Sequence, residues 1–166
     1  MSVLVAHASK HGSTEEIAHF IADRLREHGH EARATPVQEV SDLSGVQAVV
    51  LGSAIYVGSW IKEALEFVDR HLSALQSVPV WLFSVGPLGT EVQDEEEQPQ
   101  QLGELREKLR PRDHRLFFGV LDRDKLGFGE RMMVKAVKAP EGDFRNWDEI
   151  EAWADAIAEE LGSAAP

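Results

Sequence analysis

Short apolar runs alternate with helical stripes along the chain. VLVA at 3–6 is apolar and partly β-branched, and reads as a strand. Ile17, Phe20, Ile21 and Leu25 then recur at helical spacing up to His28 and Gly29, a helix-stop signal. Residues 31–35 carry a shorter, less apolar strand pattern. VQAVVLG at 46–52 and VPVWLFSV at 78–85 are continuous apolar runs, the pattern of strands buried on both faces. Between them Ile61, Leu65, Val68 and Leu72 form a second helical stripe. Leu102, Leu105 and Leu109 mark a helix that stops before Pro111, and LFFGVL at 116–121 is the last strong strand. Trp147, Ile150, Ala154, Ile157 and Leu161 make the final helix, opened by Asn146 with Glu149 three positions on.

The order is therefore β-α-β-β-α-β-α-β-α. Residues 36–45 link the second and third strands with little helical signal beyond a turn. Such alternation implies an α/β fold, a parallel sheet with helices on both faces. No internal repeat or linker interrupts it, and 166 residues suit one domain, so a single domain over 1–166 is expected. Two segments exceed what compact connections need. Residues 91–101 contain the acidic run Asp94-Glu95-Glu96-Glu97 and read as a solvated loop, and residues 122–145 form an insertion before the last helix.

Composition narrows the chemistry. The chain has no cysteine, which excludes disulfides, thiol catalysis and thiolate-held metal clusters. A net charge of −12 disfavours nucleic acid and anionic lipid, and favours a partner with a basic face. No apolar run has the length of a membrane span and no signal-peptide pattern opens the sequence, so a cytoplasmic location is expected.

Function is sought in the loops after the strands, because ligands of open parallel sheets bind outside the strands' carboxyl ends. The first loop holds Ser9, Lys10, His11, Gly12, Ser13 and Thr14. Its hydroxyls, its backbone N–H groups and the following helix dipole suit a phosphate. A capping box of Ser13 and Glu16 without any ligand fits the same residues. The Gly-Lys-Ser/Thr ending of a P-loop and the three-glycine dinucleotide spacing are both missing. The second loop, Ser53, Ala54, Ile55, Tyr56, Val57 and Gly58, follows Gly52 and suits a planar ligand. Its plainer reading is a turn before a helix capped by Ser59 and opened by Trp60. The third loop comprises Ser84, Val85, Gly86, Pro87, Leu88 and Gly89, where Gly and Pro also suit a simple turn. Trp81, inside a strand, reads as core. His7 and His11 lie in an extended loop without a convergent carboxylate, so no metal site is expected. There is no Gly-x-Ser-x-Gly elbow. No side chain stands out as a catalytic acid or base.

These three loops resemble those of the flavodoxin family. The stretches GSAIYVGSWIKEALEFVDRH at 52–71 and FFGVLDRDKLGFGERMMVKAVKAPEGDFRNWDEIEAWADAI at 117–157 resemble the branch that includes menaquinone-dependent protoporphyrinogen dehydrogenase. The resemblance implies a flavodoxin-like, doubly wound, five-stranded parallel sheet in the order 2-1-3-4-5. It implies non-covalent FMN, with its phosphate in the first loop and its ring between the other two, Tyr56 being the candidate ring contact. His11 stands where the family commonly has a hydroxyl residue, and Tyr56 stands where that branch has an arginine. A phosphorylated deazaflavin would use the same loops. Implied partners are a redox protein or a quinone, with a porphyrinogen-like small molecule as substrate. In the insertion, Arg123, Lys125, Arg131, Lys135 and Lys138 against Asp122, Asp124 and Glu130 give a local balance of +2. Residues 123–138 therefore suit peripheral membrane, substrate or partner contact, or a helix packed on the sheet with its basic side in water. Three functional readings remain: a substrate oxidoreductase, an electron carrier whose acidic face docks basic reductases, and a domain that has lost its cofactor.

Overall fold

The computed structural model describes residues 2–9, 12–56, 59–86, 101–118, 120–121, 142–143 and 146–164, with backbone alone at 56, 118, 120–121, 142–143 and 163–164. Strand β1 (Ser2–Ala8) runs into helix α1 (Ser13–Glu27), and β2 (Glu31–Pro36) into a single 3₁₀ turn at Val37–Glu39. Strand β3 (Ala48–Tyr56) folds back through the two-residue β4 (Ser59–Trp60) before α2 (Lys62–Arg70) and α3 (Leu72–Gln76). Then come β5 (Val80–Gly86), α4 (Leu102–Leu109) and β6 (Asp113–Phe118). Short β7 (Val120–Leu121) and β8 (Gly142–Asp143) pair antiparallel, and α5 (Trp147–Ala164) follows.

The five long strands are parallel and ordered β2-β1-β3-β5-β6, which is 2-1-3-4-5 counted along the chain. Strand alternation splits the core into two layers. Val3, Val5, Val50, Trp81 and Phe83 face α1 and α5, meeting Ile17, Ile21, Ile150, Trp153 and Ile157. Leu4, Ala6, Val49, Leu51 and Leu82 face the other way, meeting Ala64, Phe67, Leu75 and Leu105. Each helix supplies one apolar stripe, so both sheet faces are covered.

Polar contacts join the layers' outer elements. Arg24 of α1 donates to the Asp155 carboxylate of α5, from Nε at 3.2 Å and from Nη2 at 2.9 and 3.1 Å. Asn146 caps α5, its Oδ1 accepting the Glu149 N–H at 3.1 Å as the spacing implied.

Several boundaries differ from the sequence pattern. The stripe from Ile61 to Leu72 is two helices, with His71 in the turn between them and its ring 4.8 Å from that of Phe67. β6 begins at Asp113, three residues before its apolar run, because the polar residues at 113–115 pair with 81–83 of β5. The β3–β4 hairpin has no separate apolar signal. The Lys10-His11 and Val57-Gly58 pairs, residues 87–100, and 122–141 with 144–145 of the insertion lie outside the described residues.

Candidate functional site

Register brings the three loops to one edge. His7 and Ala8 pair with Gly52 and Ser53, while Ser53 and Ala54 pair with Ser84 and Val85. The chain leaves β1 for β2 on one side and meets β3 on the other, so strand order reverses between β1 and β3. That switch point opens the crevice in which sheets of this order bind ligands.

At the first loop, Ser9 Oγ accepts the Gly12 N–H at 2.8 Å. Gly12 adopts φ 94°, a left-handed conformation that favours glycine, and stands at the N-cap of α1. No side chain caps that helix, so the expected Ser13–Glu16 capping box does not form; Ser13 is already helical. The first helical bond runs from the Glu16 N–H to the Gly12 carbonyl at 3.1 Å, so the N–H groups of Ser13, Thr14 and Glu15 precede the ladder. The Thr14 hydroxyl is fully buried and has no hydrogen-bond partner. Burying a hydroxyl unpaired is costly, and this one sits in the first turn of a helix, where an anion is electrostatically favoured. A phosphate fits that donor set. Glu15 and Glu16 of the same turn are exposed. Lys10 and His11 are outside the described residues.

His7 closes β1 beneath α1, 2% exposed and with Nε2 unpartnered. Burial pulls its pKa down to about 4, outweighing Glu15, and keeps the ring neutral. The His19 ring lies 5.8 Å away. Among the described residues no group of three histidines or carboxylates is placed to hold a metal ion.

At the second loop, Ser53 turns inward. Its Oγ donates to the Ala54 carbonyl at 2.8 Å and accepts the Ile61 N–H at 3.2 Å, pinning the chain as it enters α2. Ala54 and Ile55 are half-buried, Tyr56 is placed by its backbone pairing with Ser59, and Val57 and Gly58 are outside the described residues. Two expectations are corrected here. Ser59 caps no helix and Trp60 opens none: both belong to β4, and α2 starts at Lys62 with Ile61 before it. The hairpin wins because Ser59 and Trp60 pair with Tyr56 and Ile55. Gln101 clamps it from the far side of the loop, accepting the Trp60 N–H at 3.1 Å and donating to Ser59 Oγ.

At the third loop, Ser84 is fully buried and Val85 packs in the α1–α5 layer. Both are sheet residues whose side chains face inward. Gly86 ends β5, and Pro87, Leu88 and Gly89 are outside the described residues. Trp81 is core, as read.

A cleft of ≈ 510 Å³ joins the first two loops. Ser9, Gln38 and residues 59–63 line it. Sequence reasoning missed Gln38, Lys62 and Glu63. Gln38 follows a strand in the one crossover without a helical pattern, and that missing helix was the available signal. His114 was missed too. Its Nε2 lies 2.7 Å from Ser84 Oγ, and burial with the nearby Arg106 lowers its pKa to about 4.

Fold and edge together define a doubly wound α/β protein with its ligand crevice between β1 and β3. The chain belongs to the Flavodoxin domain family, whose pattern matches residues 4–148. It is 25% identical, over 95% of both chains, to the protoporphyrinogen IX dehydrogenase [quinone] of Escherichia coli strain K12. Its fold is similar to a flavodoxin of Streptococcus pneumoniae TIGR4 (TM-score 0.64, 17% identity, covering 99% of this chain and 100% of that one). It is also similar to an archaeal flavodoxin (TM-score 0.63, 16% identity, covering 98% and 99%). A third neighbour, the rubredoxin oxygen:oxidoreductase of Desulfovibrio gigas, has a TM-score of 0.64 at 15% identity; 99% of this chain matches 37% of that longer one. Family membership indicates a flavin as the cofactor class; none of these matches supports a deazaflavin. Among the described residues no helix is long and apolar enough to cross a membrane.

Proposed function

We propose that this protein binds FMN non-covalently and is a redox enzyme that passes electrons from a reduced small molecule to a quinone. The observation that carries the cofactor is the buried, unpartnered Thr14 hydroxyl beside the first-turn N–H groups that precede the α1 ladder, at the mouth of the β1–β3 crevice. Phosphate accepts hydrogen bonds and binds where such donors converge. The first loop, from Ser9 through Thr14, takes the phosphate, with Lys10 and His11 as added charge. Backbone groups of Ala54, Ile55, Tyr56, Val57 and Gly58 meet one edge of the ring, and the loop from Gly86 through Gly89 covers its other side. The flavin supplies the redox chemistry, and the protein sets its access and potential. Similarity over 95% of both chains to a quinone-dependent protoporphyrinogen IX dehydrogenase supports a porphyrinogen-like substrate. The net charge of −12 favours a second reading, an electron carrier docking basic reductases. Its setting would be the cytoplasm, with 123–138 as the surface for any peripheral membrane contact.

The test begins with the absorbance spectrum of purified protein and titration with FMN, riboflavin and a phosphorylated deazaflavin. FMN binding far tighter than riboflavin supports the phosphate site, and equal affinity removes it. Preference for the deazaflavin replaces the cofactor. Protoporphyrinogen oxidation coupled to quinone reduction then supports the enzyme. Reduction by a basic reductase without that turnover favours the carrier, and binding of no cofactor overturns both.

A further inference from the structure

The indole of Trp60 is held from within. Its Nε1–H donates to Ser84 Oγ at 2.7 Å, and that oxygen lies 2.7 Å from His114 Nε2. An indole N–H only donates, so Ser84 accepts there, and its remaining lone pair or its own proton serves His114 according to the histidine tautomer. Burial and Arg106 both disfavour the charged ring, so His114 meets Ser84 as a neutral imidazole. The three residues come from β4, β5 and β6 and share the sheet face covered by α2 and α4. The Trp60 backbone is fixed as well, by its pairing with Ile55 and by Gln101. Trp60 is 2% exposed, yet it forms part of the cleft beside Ser9.

We propose that Ser84 and His114 are a positioning pair for Trp60, holding its buried indole inside the protein so that residues 59 and 60 of the β3–β4 hairpin keep their place along the cleft. What occupies the cleft rests on the flavin reading; the positioning of Trp60 does not.

The test is hydrogen exchange of the Trp60 indole proton by ¹⁵N NMR, the resonance being assigned by its loss in Trp60→Phe. In the unaltered protein this proton exchanges far more slowly than that of free tryptophan. Ser84→Ala and His114→Ala each speed exchange by about tenfold or more, the loss of roughly one hydrogen bond. His114→Gln restores most of the protection, because its amide can accept from or donate to Ser84 as either tautomer of the histidine would. Free-tryptophan exchange in the unaltered protein overturns the proposal, as does equal exchange in Ser84→Ala. If the alanine variants do not fold, the unaltered protein and His114→Gln still decide. Both must protect the indole, and exposure in either is fatal to the idea. In a second arm, His114→Ala weakens FMN binding about tenfold and His114→Gln does not. Unchanged FMN affinity alongside a freed indole overturns the link to the cleft. Failure of the unaltered protein to bind FMN removes the flavin reading and leaves the exchange result standing.

Discussion

The ring of Phe83 covers Gly52, its partner across the β3–β5 ladder. A Cβ built on Gly52 would overlap that ring, so glycine is required by packing rather than by a turn. The contact lies one residue before Ser53, where β3 delivers the second loop. Gly52→Ala is expected to cost about 1–3 kcal/mol, the usual range for overpacking a core. Gly52→Ala with Phe83→Leu should recover part of that loss. Urea unfolding of the three variants checks it; an unchanged midpoint for Gly52→Ala would refute the packing argument.

Thr14→Val separates folding from binding. It removes a buried hydroxyl that has no partner, so the ligand-free protein should become more stable by about 1 kcal/mol. The same change removes a donor to a charged phosphate, so FMN affinity should fall roughly 10- to 100-fold. Riboflavin affinity should hardly move. Thermal unfolding without ligand and titration with both flavins give the two signs. A loss of stability together with unchanged FMN affinity would place the hydroxyl in the core alone.

His7 makes stability depend on pH. Its folded pKa of about 4 lies below the usual histidine value of 6.5, so between those values the unfolded chain binds more protons. Stability is therefore full above about pH 6.5 and declines as pH falls toward 4, by up to about 1.4 kcal/mol per unit. His114 adds in the same direction. Urea midpoints between pH 5 and 8 should rise with pH, and His7→Gln should flatten the rise. A variant with the full slope would assign the dependence to other groups.

The Arg24–Asp155 contact between α1 and α5 has the same pH sense, in a more acidic window. Burial opposes ionisation of Asp155, but hydrogen bonds from His28 and Arg24 outweigh it and hold the carboxyl below its usual range. The pair's contribution is present at neutral pH and is lost as pH falls below about 4, through the lowered pKa. Asp155→Asn should lower the urea midpoint at pH 7, and less so in high salt, because partly exposed pairs are screened. A salt-independent loss would point to packing instead of charge.

Much of the fold was legible in the chain. Strands at 3–6, 46–52 and 78–85 read out because strands buried on both faces must be apolar throughout; the apolar run at 116–121 instead divides between β6, which ends at Phe118, and β7 at Val120–Leu121 in a second sheet. Ile17, Ile21 and Leu25 read out because α1 buries one stripe. Glycines and hydroxyl residues at the strand ends marked the edge where ligands bind. The polar start of β6 was not legible, since pairing with β5 needs only backbone groups and leaves no apolar trace at Asp113, His114 and Arg115.

The sequence by itself determined the layers and the order of elements, because hydrophobic period is a local property of the chain. Only the tertiary structure decided what the polar side chains do. Trp60, Ser84 and His114 stand 24 and 30 residues apart and meet through strand register, which no local pattern encodes. Ser84, already within the apolar run at 78–85, is thereby engaged by side chains from β4 and β6. Thr14 was left as a buried hydroxyl without a partner, because folding fixes it under the first turn of α1.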